Sequence, residues 1–483
     1  MTSRKNEKHP SPFLSRWALT LGLVCAFGYP ITSRGDNSVG AAPSADRARI
    51  RALRVRVDTL RDDLLGFWLK HGLDLVHGGG YGLLDREGKP VEGLALGTVN
   101  GYPITSTDKG IVQQGRHLWS LSTYYQQLQR QGLPIPEALV PAIESLRSFI
   151  LDHMKDPSDN RFYFMVSRDG NQVVHPGKNF YGNMFAMYGL SKHYEVFGDE
   201  SSREQAIETF LSYDEGIHDA EFGGYDETGL IPVKDNPKLP SGRLSKTLDT
   251  LLHAIECLVQ LHQVVDNEAI SARIASRIVE LLEIAAARTD HEDGAYLWEN
   301  FDTVWNPRGN PILCYGHQLE IMWLAIDALE RMREKGVMDP VRVETLKRTY
   351  LRIGEFVTPQ AYDEERGGLY LAGWPNQVAS RKDKHWWAQA EALNGFWYLY
   401  QHTGQRVFLD KLEGTVAWVE QVQRDPVYGG WFAFITPEGQ VAETSGGFGM
   451  TFPGSAKGTP MKASYHDGRA TMFLSAGMAA ATE

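Results

Sequence analysis

The chain has 483 residues, 42% of them apolar and 23% charged, which excludes a disordered, collagen-like or polytopic membrane protein. Its formal net charge is -11, with 49 Lys and Arg against 60 Asp and Glu, so no basic patch argues for a nucleic-acid partner. Cys25, Cys257 and Cys314 are too scattered for a disulfide framework or a zinc knuckle, and Cys257 and Cys314 read as buried thiols on helices.

Arg4, Lys5, Lys8 and Arg16 precede a largely apolar run, Trp17 to Phe27, and the small-residue stretch Gly40 to Ala45 follows. Residues 1–45 therefore read as a secretory signal peptide and linker, which predicts a secreted or periplasmic protein; an uncleaved anchor is the competing reading. The run falls short of the ~20 apolar residues that a transmembrane helix needs. Residues 46–483 are expected to form one acidic soluble domain, monomeric or homodimeric, free of the membrane once the signal is cleaved.

That body repeats. A Gly-Gly-aromatic cluster recurs as Gly79-Gly80-Tyr81, Gly223-Gly224-Tyr225, Gly367-Gly368-Leu369-Tyr370 and Gly429-Gly430-Trp431. Weaker copies, Asn160-Arg161-Phe162-Tyr163 and Asp293-Gly294-Ala295-Tyr296, fill the gaps and make six units. Turn signals such as Arg86-Glu87-Gly88, Asp169-Gly170 and Pro437-Glu438-Gly439 follow, so each cluster predicts a short β-hairpin. Between clusters the pattern is helical. Ile50, Leu53, Val57, Leu60, Leu64 and Trp68 step by three or four, as do Ile270, Ile274, Ile278 and Leu281, giving amphipathic outer helices. Asn183 to Tyr194, Leu251 to Leu261, Gln318 to Leu329 and Ala390 to Tyr400 are apolar or small almost all round, as enclosed helices are. Six units of one outer and one inner helix predict an all-α fold, a closed (α/α)6 barrel, over a linear solenoid.

Polar residues recur where the inner helices begin. The segments Gln114-Gly115-Arg116, Tyr181-Gly182-Asn183, Leu251-Leu252-His253, Tyr315-Gly316-His317 and Ser464-Tyr465-His466 align, and closure would bring Arg116, Asn183, His253, His317 and His466 to one end of the axis. His253 has Glu256 three residues on and His317 has Glu320, a spacing that puts both groups on one helical face; Glu391 takes the matching step in the fifth unit. A lone histidine at a helix start is usually structural, but three with an arginine across separate units point to a site. The His-x-x-Glu pairs lack a third ligand at a familiar spacing, so no metal is expected. No phosphate-binding or dinucleotide fingerprint is present, so no cofactor is expected either. Asp290-His291-Glu292-Asp293 reads as a solvated turn, and Trp386-Trp387 as an aromatic pair at the barrel mouth, suited to a sugar face.

These segments resemble the N-acylglucosamine 2-epimerase and cellobiose 2-epimerase family. The resemblance rests on Tyr315 to Trp323, Trp386-Trp387-Ala388-Gln389-Ala390-Glu391 and Tyr465-His466-Asp467-Gly468-Arg469-Ala470, with support from Lys178 to Leu190 and Phe67-Trp68 through Tyr81. It spans nearly all of residues 48–475 and implies an (α/α)6 barrel acting on a carbohydrate. By that resemblance His317 and His466 are the acid/base pair, Arg116 steadies an enediolate and His253 assists ring opening or proton relay. Glu320, Trp323, Trp387 and Glu391 position substrate or orient the histidines, and Tyr181, Asn183 and Glu256 join the substrate-binding set. Two departures stand out. Asp249-Thr250-Leu251-Leu252-His253 replaces the Asn-Thr-His-x-His common in cellobiose epimerases, and Met461 occupies a position commonly held by a tryptophan that stacks on a second sugar ring.

The residue types suit that chemistry on their own terms. Removing a weakly acidic proton beside a carbonyl needs a base titrating near neutrality and fixed positive charge at the developing oxyanion. A histidine base predicts activity that falls between about pH 8 and pH 5. Histidines on both sides of the enediolate would invert C2, whereas proton return at C1 would give a ketose, so aldose–ketose isomerisation is the nearest alternative. A glycoside hydrolase on the same barrel would need two carboxylates across a glycosidic bond, and a non-catalytic binding barrel would tolerate loss of the histidines.

Overall fold

Amphipathic and enclosed helices alternate along the chain, and the alternation becomes two concentric rings. The computed structural model describes residues 44–227, 246–447 and 449–483; the expected signal segment and Cys25 lie outside the described residues. The helices are, in chain order, α1 (Ser44–His71), α2 (Ile111–Gln131), α3 (Leu139–Phe149), α4 (Phe180–Phe197), α5 (Glu200–Gly216) and α6 (Leu248–His262). They continue as α7 (Glu268–Ala286), α8 (Tyr315–Glu334), α9 (Pro340–Ala361), α10 (Trp386–Thr403), α11 (Arg406–Trp418) and α12 (His466–Thr482). The even-numbered helices pack side by side in sequence, and α12 returns to α2, so the inner ring closes.

Pairing differs from the expected outer-then-inner unit. Each inner helix packs on the outer helix that follows it, α2 on α3 through α10 on α11, and α1 covers α12. The first helix thus completes the last unit. Its stripe Ile50, Leu53, Val57, Leu60, Leu64 and Trp68 is buried, and Arg61 Nη1 donates to Ser475 Oγ at 3.1 Å while Arg51 Nη2 donates to the Thr482 carbonyl at 2.8 Å. Small residues let the inner helices approach closely: a Cβ on Gly115 of α2 would lie 2.2 Å from the Phe185 carbonyl oxygen of α4. Among the described residues no helix is long and apolar enough to cross a membrane.

The six clusters form tight turns at one end of the barrel. Bridges join Leu73 to Gly80, Lys155 to Phe162, His218 to Tyr225, Tyr362 to Leu369 and Arg424 to Trp431. In the fourth unit Asp290–His291 pairs with Gly294–Ala295, leaving Asp290, Glu292 and Asp293 exposed as expected of a solvated turn. Two side-chain clamps hold the turns against the inner helices. In one, an amide side chain near the start of the helix accepts a turn N–H: Gln114 from Gly80, Asn183 from Phe162, Gln318 from Leu297 and Gln389 from Leu369, at 2.7–2.9 Å. In the other, a lysine just ahead of the helix meets the aspartate that opens the turn. Lys109 pairs with Asp74, Lys246 with Asp219 and Lys384 with Asp363, and each lysine also donates to a turn carbonyl. Charge compensation makes these buried ammonium groups tolerable.

Longer strands cover the same end. Ala95–Val99 and Tyr102–Thr105 form a hairpin, and Met450–Pro453 joins it with Thr444–Gly447 on its outer edge.

Candidate active site

The inner-helix starts carry three interleaved registers, not the single one read from the sequence. Counting from Lys109, Lys178, Lys246, Leu313, Lys384 and Lys462, His317 and His466 fall four residues on. Asn183 shares the next step with Gln114, Gln318 and Gln389, and Arg116, His253, Glu320, Glu391 and Arg469 fall seven residues on. Asn183 therefore belongs to the clamps. Its amide is engaged at both ends, accepting from the Phe162 N–H and donating to the carbonyls of Phe162 and Asn179, which corrects its expected place in the substrate-binding set.

The three site histidines share one arrangement. His466 Nδ1 lies 2.7 Å from Glu391 Oε1, His317 Nδ1 2.7 Å from Glu299 Oε2, and His253 Nδ1 3.1 Å from Glu256 Oε2. A carboxylate on Nδ1 makes that nitrogen the donor and leaves Nε2 for chemistry. Nε2 of His253 and of His317 approach the same oxygen, Asp249 Oδ1, at 3.4 and 3.8 Å. The rings are close: His253 and His466 centroids are 6.4 Å apart, and the Trp387 indole lies 4.9 Å from His317 and 5.9 Å from His466. The aromatic pair divides, since Trp387 is half-buried between two histidines while Trp386 is buried against Phe434.

Behind the histidines, Arg469 is fully buried and donates to Glu256, to Glu320 Oε1 at 2.7 Å and to Glu391 Oε1 at 2.8 Å. Trp323 Nε1 donates to Glu391 Oε2 at 2.9 Å, and Tyr188 and Tyr465 donate to Glu256. Glu256, Glu320, Trp323 and Glu391 thus stand as a buried second layer that holds the rings. One oxygen each of Glu320 and Glu391 and a His466 nitrogen lie within 4.8 Å of one another, a grouping of metal-ligand type assembled from three helices. The cation among them is the Arg469 guanidinium, whose Nη2 bonds both carboxylates.

Electrostatics separates the two outer histidines. Burial, together with Arg116 and Arg469, drives His466 well below the ordinary histidine range and keeps it neutral. Burial also opposes charge on His317, but Cys314 and the Glu299 carboxylate outweigh it and hold His317 well above that range. Burial and Arg116 lower His253 on balance, although Glu256 pulls the other way. Burial works against ionisation of Glu256, yet Arg469 and His253 hold its carboxyl well below the usual range. Burial and the Glu391 carboxyl push Glu320 up.

Arg116 is buried with its guanidinium 4.2 Å from the Phe185 ring centroid and 5.0 Å from that of Tyr465. It donates to the Met461 carbonyl at 2.8 Å and the Tyr181 hydroxyl at 2.9 Å, and its Nε has no partner among the described residues. Tyr181 packs 5.5 Å from His253, so Arg116, Tyr181 and the histidines form one wall. From it a cleft of about 290 Å³ opens outward, bounded by Tyr181, Met461, His175, Asn100 and Glu227. Burial and Asp249 push the Glu227 carboxyl up to about 7.

Four residues of this assembly escaped the sequence. Arg469 sits at the same step as Arg116 and His253, a signal that the correct register exposes. Asp249 precedes His253 by one helical turn. Glu299 and Glu227 come from turns; Glu299 is delivered by a ladder in which its carbonyl accepts the Leu248 N–H at 3.0 Å. Cys314 differs from expectation as well. It is half-buried at the start of α8, where its N–H bonds Glu299 Oε1 at 3.0 Å beside His317, whereas Cys257 is buried as read.

Comparison with known proteins places this geometry. The model of the N-acylglucosamine 2-epimerase (GlcNAc 2-epimerase) family matches residues 97–449. A cellobiose 2-epimerase of Ruminococcus albus is 28% identical over 426 residues, 86% of this chain and 95% of that one. An N-acylglucosamine 2-epimerase of Bos taurus is 24% identical over 436 residues, 87% of this chain and 90% of that one. The solved cellobiose 2-epimerase from Spirochaeta thermophila DSM 6192 superposes with a TM-score of 0.72 at 25% identity, covering 91% of this chain and 100% of its own. The chain belongs to the N-acylglucosamine 2-epimerase family and is a sugar-epimerase-class enzyme with an (α/α)6 barrel.

Proposed function

We propose that the protein inverts C2 of a reducing sugar by passing a proton between histidines through an enediolate. The observation that carries this reading is that two imidazoles flanking Trp387 are each fixed at Nδ1 by a carboxylate, in surroundings that favour the neutral form of His466 and the charged form of His317. On the open-chain aldose, neutral His466 takes the C2 proton at Nε2. The C2–H electron pair forms the C1–C2 double bond, and the carbonyl π pair moves onto O1. The Arg116 cation, held over Phe185 and Tyr465, favours that anion. Protonated His317 returns a proton to C2 from the other face and restores the aldehyde. His253, tied to Glu256 and beside Asp249, is placed to move protons during ring opening. Tyr181 and Trp387 contact the sugar, while Glu256, Glu320, Trp323 and Glu391 hold the histidines. The cleft beyond Tyr181 gives room for a substituent or second ring, so the substrate panel is N-acetylglucosamine, mannose, glucose and cellobiose.

NMR of each sugar with enzyme in deuterated water tests the reaction. Deuterium at C2 of a new epimer is expected. Ketose labelled at C1 would make the enzyme an isomerase, and no exchange into any of the sugars would remove the proposal.

The pH profile follows from the two shifts. His466 works neutral, and its lowered pKa keeps it so as pH falls below 6.5; His317 works protonated, and its raised pKa keeps it so as pH rises above 6.5. The plateau of kcat/KM is therefore expected to span 6.5 on both sides, which moves the acid decline below the range expected of an ordinary histidine. A single break at about 6.5 would contradict the assignment.

A further inference from the structure

We infer that Glu320 and Glu391 hold one proton between them, resident on Glu320 at neutral pH, and that Glu320 thereby acts as a positioning residue setting the base strength of His466. The inference rests on the proposed role of His466 as the base. Two carboxyl groups from adjacent inner helices converge on a single donor, Arg469 Nη2, at 2.7 and 2.8 Å. Both also approach His466 Nδ1, Glu391 at 2.7 Å and Glu320 at 3.8 Å. Carboxyl groups this close do not both ionise readily, because each charge raises the pKa of the other.

Geometry decides which one keeps the proton. Glu391 has a partner at each oxygen, Arg469 and His466 at Oε1 and Trp323 at Oε2. Those are donors, and they favour the ionised form. Glu320 Oε2 is buried without a partner among the described residues, a setting in which a charged carboxylate is far costlier than a neutral acid. The other groups in the layer agree. Glu256 of α6 engages Arg469, His253 and Tyr465, and so draws on the same guanidinium. His317, on Glu320's own helix, is already matched by Glu299. Burial raises both carboxyls, Glu320 to about 8, so the partners at the oxygens place the proton.

The consequence lies in the charge beside the base. His466 stands among Arg116, Arg469 and His253, which favour its neutral form. One carboxylate, Glu391, fixes its Nδ1–H; a second charge from Glu320 would stabilise the imidazolium and blunt the contrast with His317. A neutral Glu320 completes the packing around Arg469 without that charge.

Infrared spectroscopy of the substrate-free enzyme tests this independently of turnover. At pH 7 a protonated-carboxylic-acid band is expected in the wild-type minus Glu320→Gln difference spectrum. Glu320→Gln, an isostere of the neutral acid, is expected to leave the acid limb of kcat/KM, which reports His466, where it stands in the wild type, and to lose less activity at pH 7 than Glu391→Gln does. Glu391→Gln is expected to lose about 100-fold or more. A band absent from the wild type, or one that survives in Glu320→Gln, overturns the inference even if the enzyme proves to be an epimerase. Should Glu320→Gln not fold, the wild-type band followed from pH 6 to pH 10 decides: it must bleach reversibly on the alkaline side, and an ionised carboxylate throughout refutes the inference.

Discussion

His466→Asn is expected to lower kcat by about 10²–10⁴-fold with little change in KM, and to abolish deuterium exchange at C2 in parallel. The amide keeps a donor toward Glu391 but offers no titrating nitrogen at Nε2. His317→Asn is expected to impair epimer formation more than exchange, because the C2 proton can still leave to His466 while its return from the other face is lost. Equal loss of exchange and epimer in both variants would mean that one histidine handles both faces, and the asymmetry between them would lose its meaning.

The largest stability effect is expected at Arg469. Its guanidinium bonds three buried carboxyl groups and lies 4.7 Å from the Trp323 ring centroid. Arg469→Leu leaves Glu256 and Glu391 ionised in a sealed layer, which costs about 3–5 kcal/mol. Arg469→Lys keeps the charge without the planar fork, so it recovers part of that. The sign with pH provides the check. In the leucine variant the orphaned carboxyls have folded pKa values above their unfolded ones, so stability is lost as pH rises through them and regained in acid. Urea unfolding at pH 5 and pH 8 should show a smaller deficit at pH 5; a deficit that is equal or grows in acid would contradict the charge argument.

The barrel was legible because each unit repeats one physical problem, a helix face to bury and a turn to make, and six solutions in series declare the period. The site was legible only in outline. His253, His317, His466 and Arg116 announced themselves by type, yet the steps separating a clamp from a site residue are one or two positions on one helix. Asn183 fell on the wrong side of that division because an amide that fixes a turn and an amide that binds sugar look alike in sequence. Arg469 was quoted within a motif but had no role until three helices were seen to aim carboxylates at it. Glu299 and Glu227 had no local signal at all. Glu299 reaches the site through the pairing of Asn300–Phe301 with Lys246–Thr247 of the preceding unit, which no helical periodicity records.

The closure of α1 on α12 also fixes the end of the barrel at which α1 starts. Asp46 meets the Tyr400 hydroxyl at the finish of α10, and Arg51 meets the Thr482 carbonyl at the finish of α12, so the first helix sets out from the floor of the barrel and climbs toward the mouth. A carrier protein, resin or lipid tether grafted ahead of residue 44 would hold the catalyst by its base, with the entrance facing outward to incoming sugar.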